Sequence, residues 1–535
     1  MSSGQFGRKL FQCCCSTDEE FLNPIGDYSD PPGHVLNAPQ PILLVPSFYG
    51  APSVSPSEVQ TIRIRSGEAA GINAVLGLNF PRLQRLDVDL ASLSDSVDLS
   101  AFLRKHKQTI VRVDISMLLV RHSSSLSWDS VRHAFDEMLS ALRDISRLES
   151  IYLSLGDEFT CRRNEIPTMV LEALAHSTTL RHFGLCCRCL EGIDFGVCPR
   201  NLQSIEIEEL DNPERETALD LSRLTRLQKV VVSSQRALVL AQRNPRLRKL
   251  LLHHVKSLTG DVGKTCILGL QSCDQALVAR LLVVTKPRLR ELSLIDMRST
   301  KGPAGGLVID AMSLEVLFVR NVDVQCIRTA DATPIDALLF SDVDLADTCP
   351  SISARKLYIS GSSLSIVSTL SHIRSEHVTS LAIRDNVLGG AVPDFESALA
   401  EALSSMKGTL TAFASLTDFP DFPVLPKLQC LLCPSPDSVE SFVGKVPRLA
   451  LLAFYSAYCD GSGLGSAYGA DLSERQVIYS SVINFWNDTL GRQVSLFSNL
   501  NRPGIGWNYL FERNSTPQPC ASFHGTDLSN FPLPV

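Results

Sequence analysis

The chain has 535 residues, of which 44% are hydrophobic and 20% charged, and it carries a formal net charge of −7. That length exceeds what a single globular core holds, so several domains or an elongated array are expected. The acidic balance argues against a general nucleic-acid-binding surface, and no stretch approaches the roughly 20 apolar residues of a membrane-spanning helix.

The first residues contain no hydrophobic signal-peptide core, so the expected compartment is the cytoplasm or nucleus, where the 16 Cys stay reduced. Residues 1–56 read as a largely disordered tail, because eight prolines between Leu22 and Pro56 leave no room for a helix or central strand. The one apolar run, Ile42–Val45, is expected to dock on the first turn of a repeated array that begins near residue 59. Cys13, Cys14 and Cys15 follow Arg8, Lys9, Leu10 and Phe11. Clustered cysteines beside basic and apolar residues are a signal for S-acylation, and hence for peripheral membrane association. The competing reading is an unmodified tail.

From residue 59 a short pattern recurs. Its cleanest copy is Leu289-x-x-Leu292-x-Leu294, and close copies start at Leu83, Leu148, Leu202 and Leu247. Sixteen copies, from Val59 to Leu449, recur about every 26 residues, which is the period of a stacked array rather than a compact core. Four long intervals hold amphipathic helices at spacings of three and four, over 128–146, 165–177, 272–286 and 393–407. Strand, turn and helix in that order make successive strands parallel, with the helices on the outer side. Positions three and five after each leading residue then face the core, and positions two, four and six face the other surface.

The L-x-x-L-x-L runs resemble the leucine-rich-repeat family over residues 59–456. The resemblance implies an α/β solenoid of horseshoe form, with a parallel sheet on the concave face and helices and loops on the convex face. The family's Asn or Cys, eight residues after the first Leu, is replaced here by Ala91, Gly156, Arg188, Leu210, Val255 and Met297, and only Asn386 fits. Irregular arrays of this kind resemble those attached to F-box segments in ubiquitin-ligase adaptors, although no F-box pattern is found in 1–58. After Tyr455 a Gly-rich loop leads to Asp471-Leu-Ser-Glu474, a capping box expected to open a helix through about Leu490 that caps the array. The chain thus divides into a tail over 1–56, a solenoid over 57–456, and a capping helix with a loose tail over 457–535.

No catalytic constellation is found: no triad, no paired catalytic carboxylates and no dinucleotide fingerprint. Gly260-Asp-Val-Gly263-Lys264-Thr265 is shorter than a phosphate-binding loop, which needs a run long enough for successive N–H groups to wrap a phosphate. Cys161, Cys186, Cys187, Cys189 and Cys198 are dense but supply only one pair at zinc spacing, so neither metal nor cofactor is expected. The strand surface remains as the functional candidate. Its early turns offer Asp87, Asp89 and Asp114, a middle turn Glu206 and Glu208, and later turns Phe318, Arg320, Leu339, Tyr358 and Arg384. Outward aromatics beside Arg have the chemistry of interface hot spots, and the acidic end suits a basic partner. The reading is a non-catalytic, monomeric interaction scaffold for protein partners. Its alternatives are a substrate-recognition subunit working with ubiquitin-ligase components, and a nucleotide-binding protein through Gly260–Thr265.

Overall fold

The fold is that of a computed structural model, which describes residues 42–45, 57, 59–64, 78–90, 93–117, 128–155, 165–187, 190, 192–209, 217–297, 306–329, 333–346, 348–385, 395–415, 422–433, 445–449, 451–455 and 476–480. The chain is α/β, built on parallel strands. It forms two compact units. Among the described residues the first holds 42–247 with 257–261, and the second holds 248–256 with 262–480.

Many of the described turns start their strand in one way. Two successive amides donate to a single carbonyl of the turn before. Gln84 and Arg85 donate to the Gln60 carbonyl (2.8 and 3.0 Å), Val111 and Arg112 to Gln84 (2.8 and 3.0 Å), and Arg181 and His182 to Glu149 (2.8 and 2.9 Å). In the second unit Cys266 and Ile267 donate to Arg248 (2.9 and 3.0 Å), and Arg290 and Glu291 to Cys266 (2.9 and 3.0 Å). Each accepting residue directly follows the leading residue of the sequence pattern, and that leading residue is buried: Val59, Leu83, Ile110 and Leu247 are fully so. Burying one such side chain contributes about 1.5–3 kcal/mol, which makes the leucine spacing the main determinant of where each strand begins.

In the first unit the strands Ile42–Val45, Thr61–Ile64, Arg85–Leu90, Arg112–Met117, Ser150–Leu155, His182–Cys187, Ser204–Glu209 and Lys229–Ser233 pair in sequence order, all parallel. The apolar run at 42–45 therefore pairs with the first turn, Ile42 opposite Thr61. Among the described residues three α-helices return the chain: α1 (Leu93–Lys105), α2 (Trp128–Arg143) and α3 (Glu165–Leu174). They pack side by side, α1 on α2 and α2 on α3. Helix α1 was not expected from the pattern. It buries Leu99, Phe102 and Leu103, with the Phe102 ring 6.2 Å from Phe80 and 4.4 Å from His106. A small parallel sheet, Leu219–Asp220, Ala237–Val239 and Ser257–Thr259, forms the return of the last turns.

A buried ion pair fixes that end of the unit. Arg236 grips Glu209 through Nε (3.0 and 3.2 Å) and Nη2 (2.8 Å), and both side chains are almost wholly enclosed. The Ser234 hydroxyl donates to Glu209 at 2.5 Å and the Leu190 amide at 3.0 Å, while the Arg236 Nη1 reaches the Thr217 hydroxyl and carbonyl. The carboxylate is thus satisfied on both oxygens, as a buried charge requires.

The main sheet of the second unit carries eleven parallel strands among the described residues, from Lys249–His253 through Ile267–Gln271, Glu291–Ile295, Val316–Arg320, Ile335–Ser341, Ala354–Gly361, Ser380–Asp385, Ala412–Ser415, Cys430–Cys433 and Leu451–Tyr455 to Gln476–Ser480. Its helices are α4 (Gln275–Thr285), α5 (Ser363–Ser371) and α6 (Phe395–Ser405), and its small sheet is Leu307–Asp310, Asp323–Arg328 and Asp344–Leu345. Of the six α-helices among the described residues, α2, α3, α4 and α6 lie within the four intervals where the spacing predicts them.

Two expectations are corrected here. Residues 476–480 form a strand beside Leu451–Tyr455, Leu452 opposite Val477, and not the middle of a capping helix. Val477, Ile478 and Tyr479 are good strand formers, and the neighbouring strand offers them an open ladder; the rest of 457–535 lies outside the described residues. The long interval between Leu247 and Leu289 holds a complete extra turn as well as α4. Its leading residue is Thr265, fully buried, in Thr265-x-x-Leu268-x-Leu270.

Each of the consecutive strands from Lys249–His253 to Ile335–Ser341 ends in a residue of positive φ, always seven after the leading residue: His254 (59°), Ser272 (50°), Asp296 (52°), Asn321 (51°) and Asp342 (51°). Their amides donate to a carbonyl at the end of the next turn's strand: His254 to Gln271 (3.0 Å), Ser272 to Ile295 (2.9 Å), Asp296 to Arg320 (2.9 Å), Asn321 to Ser341 (2.8 Å) and Asp342 to Ser360 (2.9 Å). Asn321 Nδ2 adds a bond to Asp296 Oδ1 at 3.0 Å. Asp, Asn and His tolerate this left-handed conformation best among residues with a Cβ. A side-chain and backbone ladder therefore links these turns one residue before the family's Asn position.

Candidate interaction surface

The outward positions of the first unit align into rows across the strands. One row reads Arg85, Arg112, Ser150, His182, Ser204, Lys229, and so carries the bases. The middle row reads Asp87, Asp114, Tyr152, Gly184, Glu206, Val231, and the third Asp89, Ser116, Ser154, Cys186, Glu208, Ser233. Alternating burial along Ser150–Leu155 and Ser204–Glu209 shows that one face of these strands meets solvent.

The early end of this face is closed. Asp114 sits between Arg85 (3.1 Å) and Arg112 (2.9 Å), and Asp87, Arg85, Arg112 and Asp114 are all buried. Burial raises the Asp114 carboxyl, and the Arg112 and Arg85 guanidiniums oppose the rise. Asp89 lies in its strand, but its side chain is outside the described ones.

The open part of the face is Tyr152, Ser154, His182, Glu206, Glu208 and Lys229, all half-buried. The Tyr152 ring packs against the neighbouring strand at Gly184, where a Cβ would overlap it. That close approach requires glycine. Glu206 follows Gly184 in the same row and lies 3.9 Å from the Lys229 ammonium. Burial pushes the Glu208 carboxyl up to about 7; Glu206 repels its charge and adds to the rise, while the Cys186 thiol bonded to it opposes. Burial lowers His182 to about 4, helped by Lys229, Arg112 and Arg181, so its imidazole is neutral at pH 7.

Glu206 and Glu208, chosen from the sequence, are thus brought together on an open surface. Tyr152, His182 and Lys229 were missed, although the same outward positions counted from Leu148, Leu180 and Leu227 point to them.

The later patch is corrected. Phe318, Leu339 and Tyr358 stand opposite one another in adjacent strands, as the pattern requires, but they are 1, 0 and 1% exposed. Their row continues through Ala382 and Ala414 and includes Ser293 on the other side, all buried. All five residues of Glu291–Ile295 are buried, so these strands are covered on both faces, which is the burial a run such as Val-Leu-Phe-Val encodes. Arg320 is half-buried, the Arg384 side chain is outside the described ones, and Cys13, Cys14 and Cys15 lie outside the described residues.

The remaining constellations do not assemble. Gly260 has φ 113°, and a Cβ there would lie 2.5 Å from the Leu240 carbonyl oxygen. The loop leads into a strand at Ile267, not a helix, with Thr265 buried as a core residue; α4 starts only at Gln275. Cys186, Cys187 and Cys198 are buried thiols, with Cys198 pushed up to about 12 by burial, while Cys161 and Cys189 lie outside the described residues. Among the described residues no group of His, Cys, Asp and Glu is placed to hold a metal ion, and no helix is long and apolar enough to cross a membrane. A shallow groove of about 420 Å³ lies between α4 and Leu307–Asp310, with the Lys286–Asp310 ion pair (2.6 Å) on its wall.

No protein-family model matches the chain, and no curated protein matches it either.

Proposed function

We propose that the chain is a non-catalytic interaction scaffold, an irregular solenoid of leucine-rich-repeat type, and that its contact surface is the open strand face of the first unit around Tyr152, Glu206 and Glu208. The observation that carries this reading is the difference between two equivalent rows. The middle outward row of the second unit is enclosed from Ser293 to Ala414, whereas that of the first keeps Tyr152 and Glu206 half-exposed, with Glu208 half-exposed in the next row. A face kept polar where the fold tolerates an apolar one is available for recognition.

The partner is a protein segment bearing Lys or Arg. On the open part of the face two carboxylates, Glu206 and Glu208, stand against one lysine, Lys229, and Tyr152 adds an aromatic side chain in the row of Glu206. A photo-crosslinking amino acid at position 152 tests the reading. A partner adduct at 152, lost on Glu206→Lys and Glu208→Lys substitution, is the expected result. Adducts at exposed control positions such as Leu364 with none at 152 overturn it.

A further inference from the structure

The second unit contains a thiol pair that plays no part in the interaction surface. Cys326 lies in the strand Asp323–Arg328, and Cys349 lies four residues beyond the strand Asp344–Leu345 that pairs with it. Asp323 stands opposite Asp344 and Val324 opposite Leu345, so the two cysteines belong to neighbouring turns. Past Leu345 the chain tightens, the Cys349 amide donating to the Ala346 carbonyl at 2.8 Å. That turn carries the Cys349 sulfur to 3.4 Å from the Ile327 nitrogen, which donates to it. Ile327 is the residue bonded to Cys326, and the two thiols are themselves in a hydrogen-bond interaction. Neighbouring strands are about 4.8 Å apart, which falls inside the range of Cα separations that a disulfide spans. Both thiols are free, Cys326 half-buried and Cys349 buried.

We infer that Cys326 and Cys349 form an oxidation site that closes a disulfide between two neighbouring turns when hydrogen peroxide reaches Cys326. The half-exposed Cys326 sulfur attacks the peroxide oxygen; the O–O bond breaks, water leaves, and Cys326 becomes a sulfenic acid. The Cys349 sulfur then attacks the Cys326 sulfur. The S–O bond breaks, and the hydroxyl leaves as water with the Cys349 proton. Two thiols lose two hydrogens and two electrons, and the peroxide is reduced to two waters over the sequence. Burial raises the Cys349 thiol and the Ile327 amide opposes that rise, so Cys349 is the resolving partner and Cys326 the first to react.

Peptide mapping of the full chain after hydrogen peroxide treatment tests this. Trypsin places Cys326 in residues 321–328 and Cys349 in residues 329–355. The expected product is these two peptides joined, lighter by two hydrogens than their sum and separated by reduction. Cys326→Ser abolishes it. The inference is overturned if peroxide carries Cys326 on to sulfinic acid while Cys349 still takes an alkylating label. It is equally overturned if urea-unfolded chain gives the joined peptides in the same yield, because the fold then does not select the pair.

Discussion

At the middle outward row the first unit places Asp87, Asp114, Tyr152 and Glu206, whereas the second places Ser293, Phe318, Leu339, Tyr358, Ala382 and Ala414. Both rows lie on parallel strands paired in register, so strand pairing does not distinguish them. The residues that fill the rows differ, and so does the burial of the face. Parallel strands tolerate burial on both sides when their residues are apolar throughout, and one-sided burial when polar residues alternate with apolar ones.

The largest expected effect comes from placing a charge in the enclosed row. Leu339→Asp should cost at least about 4 kcal/mol, because an unpaired carboxylate is held away from water. Tyr152→Asp at the open row should cost about 1 kcal/mol or less in the same denaturant titration. Equal losses at the two positions break the contrast. Next, Arg236→Ala should cost about 3–5 kcal/mol by leaving Glu209 buried without its cation, a loss also read from unfolding curves. A loss below about 1 kcal/mol would mean that the pair does not hold that end of the unit.

A smaller, pH-dependent effect belongs to Glu208. Its carboxyl is raised from 4.5 to about 7, so the folded state holds a proton that the unfolded state has lost. Stability from this group is therefore intact below pH 4.5 and is lost as pH rises toward and past 7. Glu208→Gln should raise stability by about 1–3 kcal/mol at pH 8 and leave it unchanged at pH 4. A gain of the same size at both pH values would show that burial of the carboxyl is not its source. Smallest is Thr265→Val. The buried Thr265 hydroxyl has no hydrogen-bond partner, so its removal at constant shape should add about 1 kcal/mol to stability. A net loss would mean that the hydroxyl is bonded.

Leucines at the start of each strand made most turns legible in the sequence, since a buried branched side chain recurring about every 26 residues is the mark of stacked turns and of few folds besides. The turn led by Thr265 escaped because a polar residue stands where the others have Leu, Ile, Val or Ala. Helix α1 escaped because its 27-residue interval leaves little room for one beside a strand and two turns. The interaction surface was half legible. Glu206 and Glu208 were placed by counting outward positions, but the same count put Phe318, Leu339 and Tyr358 on the surface, because alternation specifies which way a side chain points and not what lies above it. The residues of positive φ went unread for a related reason: a single Asp, Asn, His or Ser reveals its conformation only when the bonds around it are known.

The shared carbonyl has a consequence for how such a chain can be rebuilt. Cys266 and Ile267 meet Arg248 just as Arg290 and Glu291 meet Cys266, so the two junctions are interchangeable. Removing residues 267–290 would bring Glu291 directly after Cys266 and present the same pair of donors to the same acceptor. The molecule is then a text with punctuation at fixed places, from which a whole clause can be cut, or into which one can be copied, while the grammar of the remainder is kept.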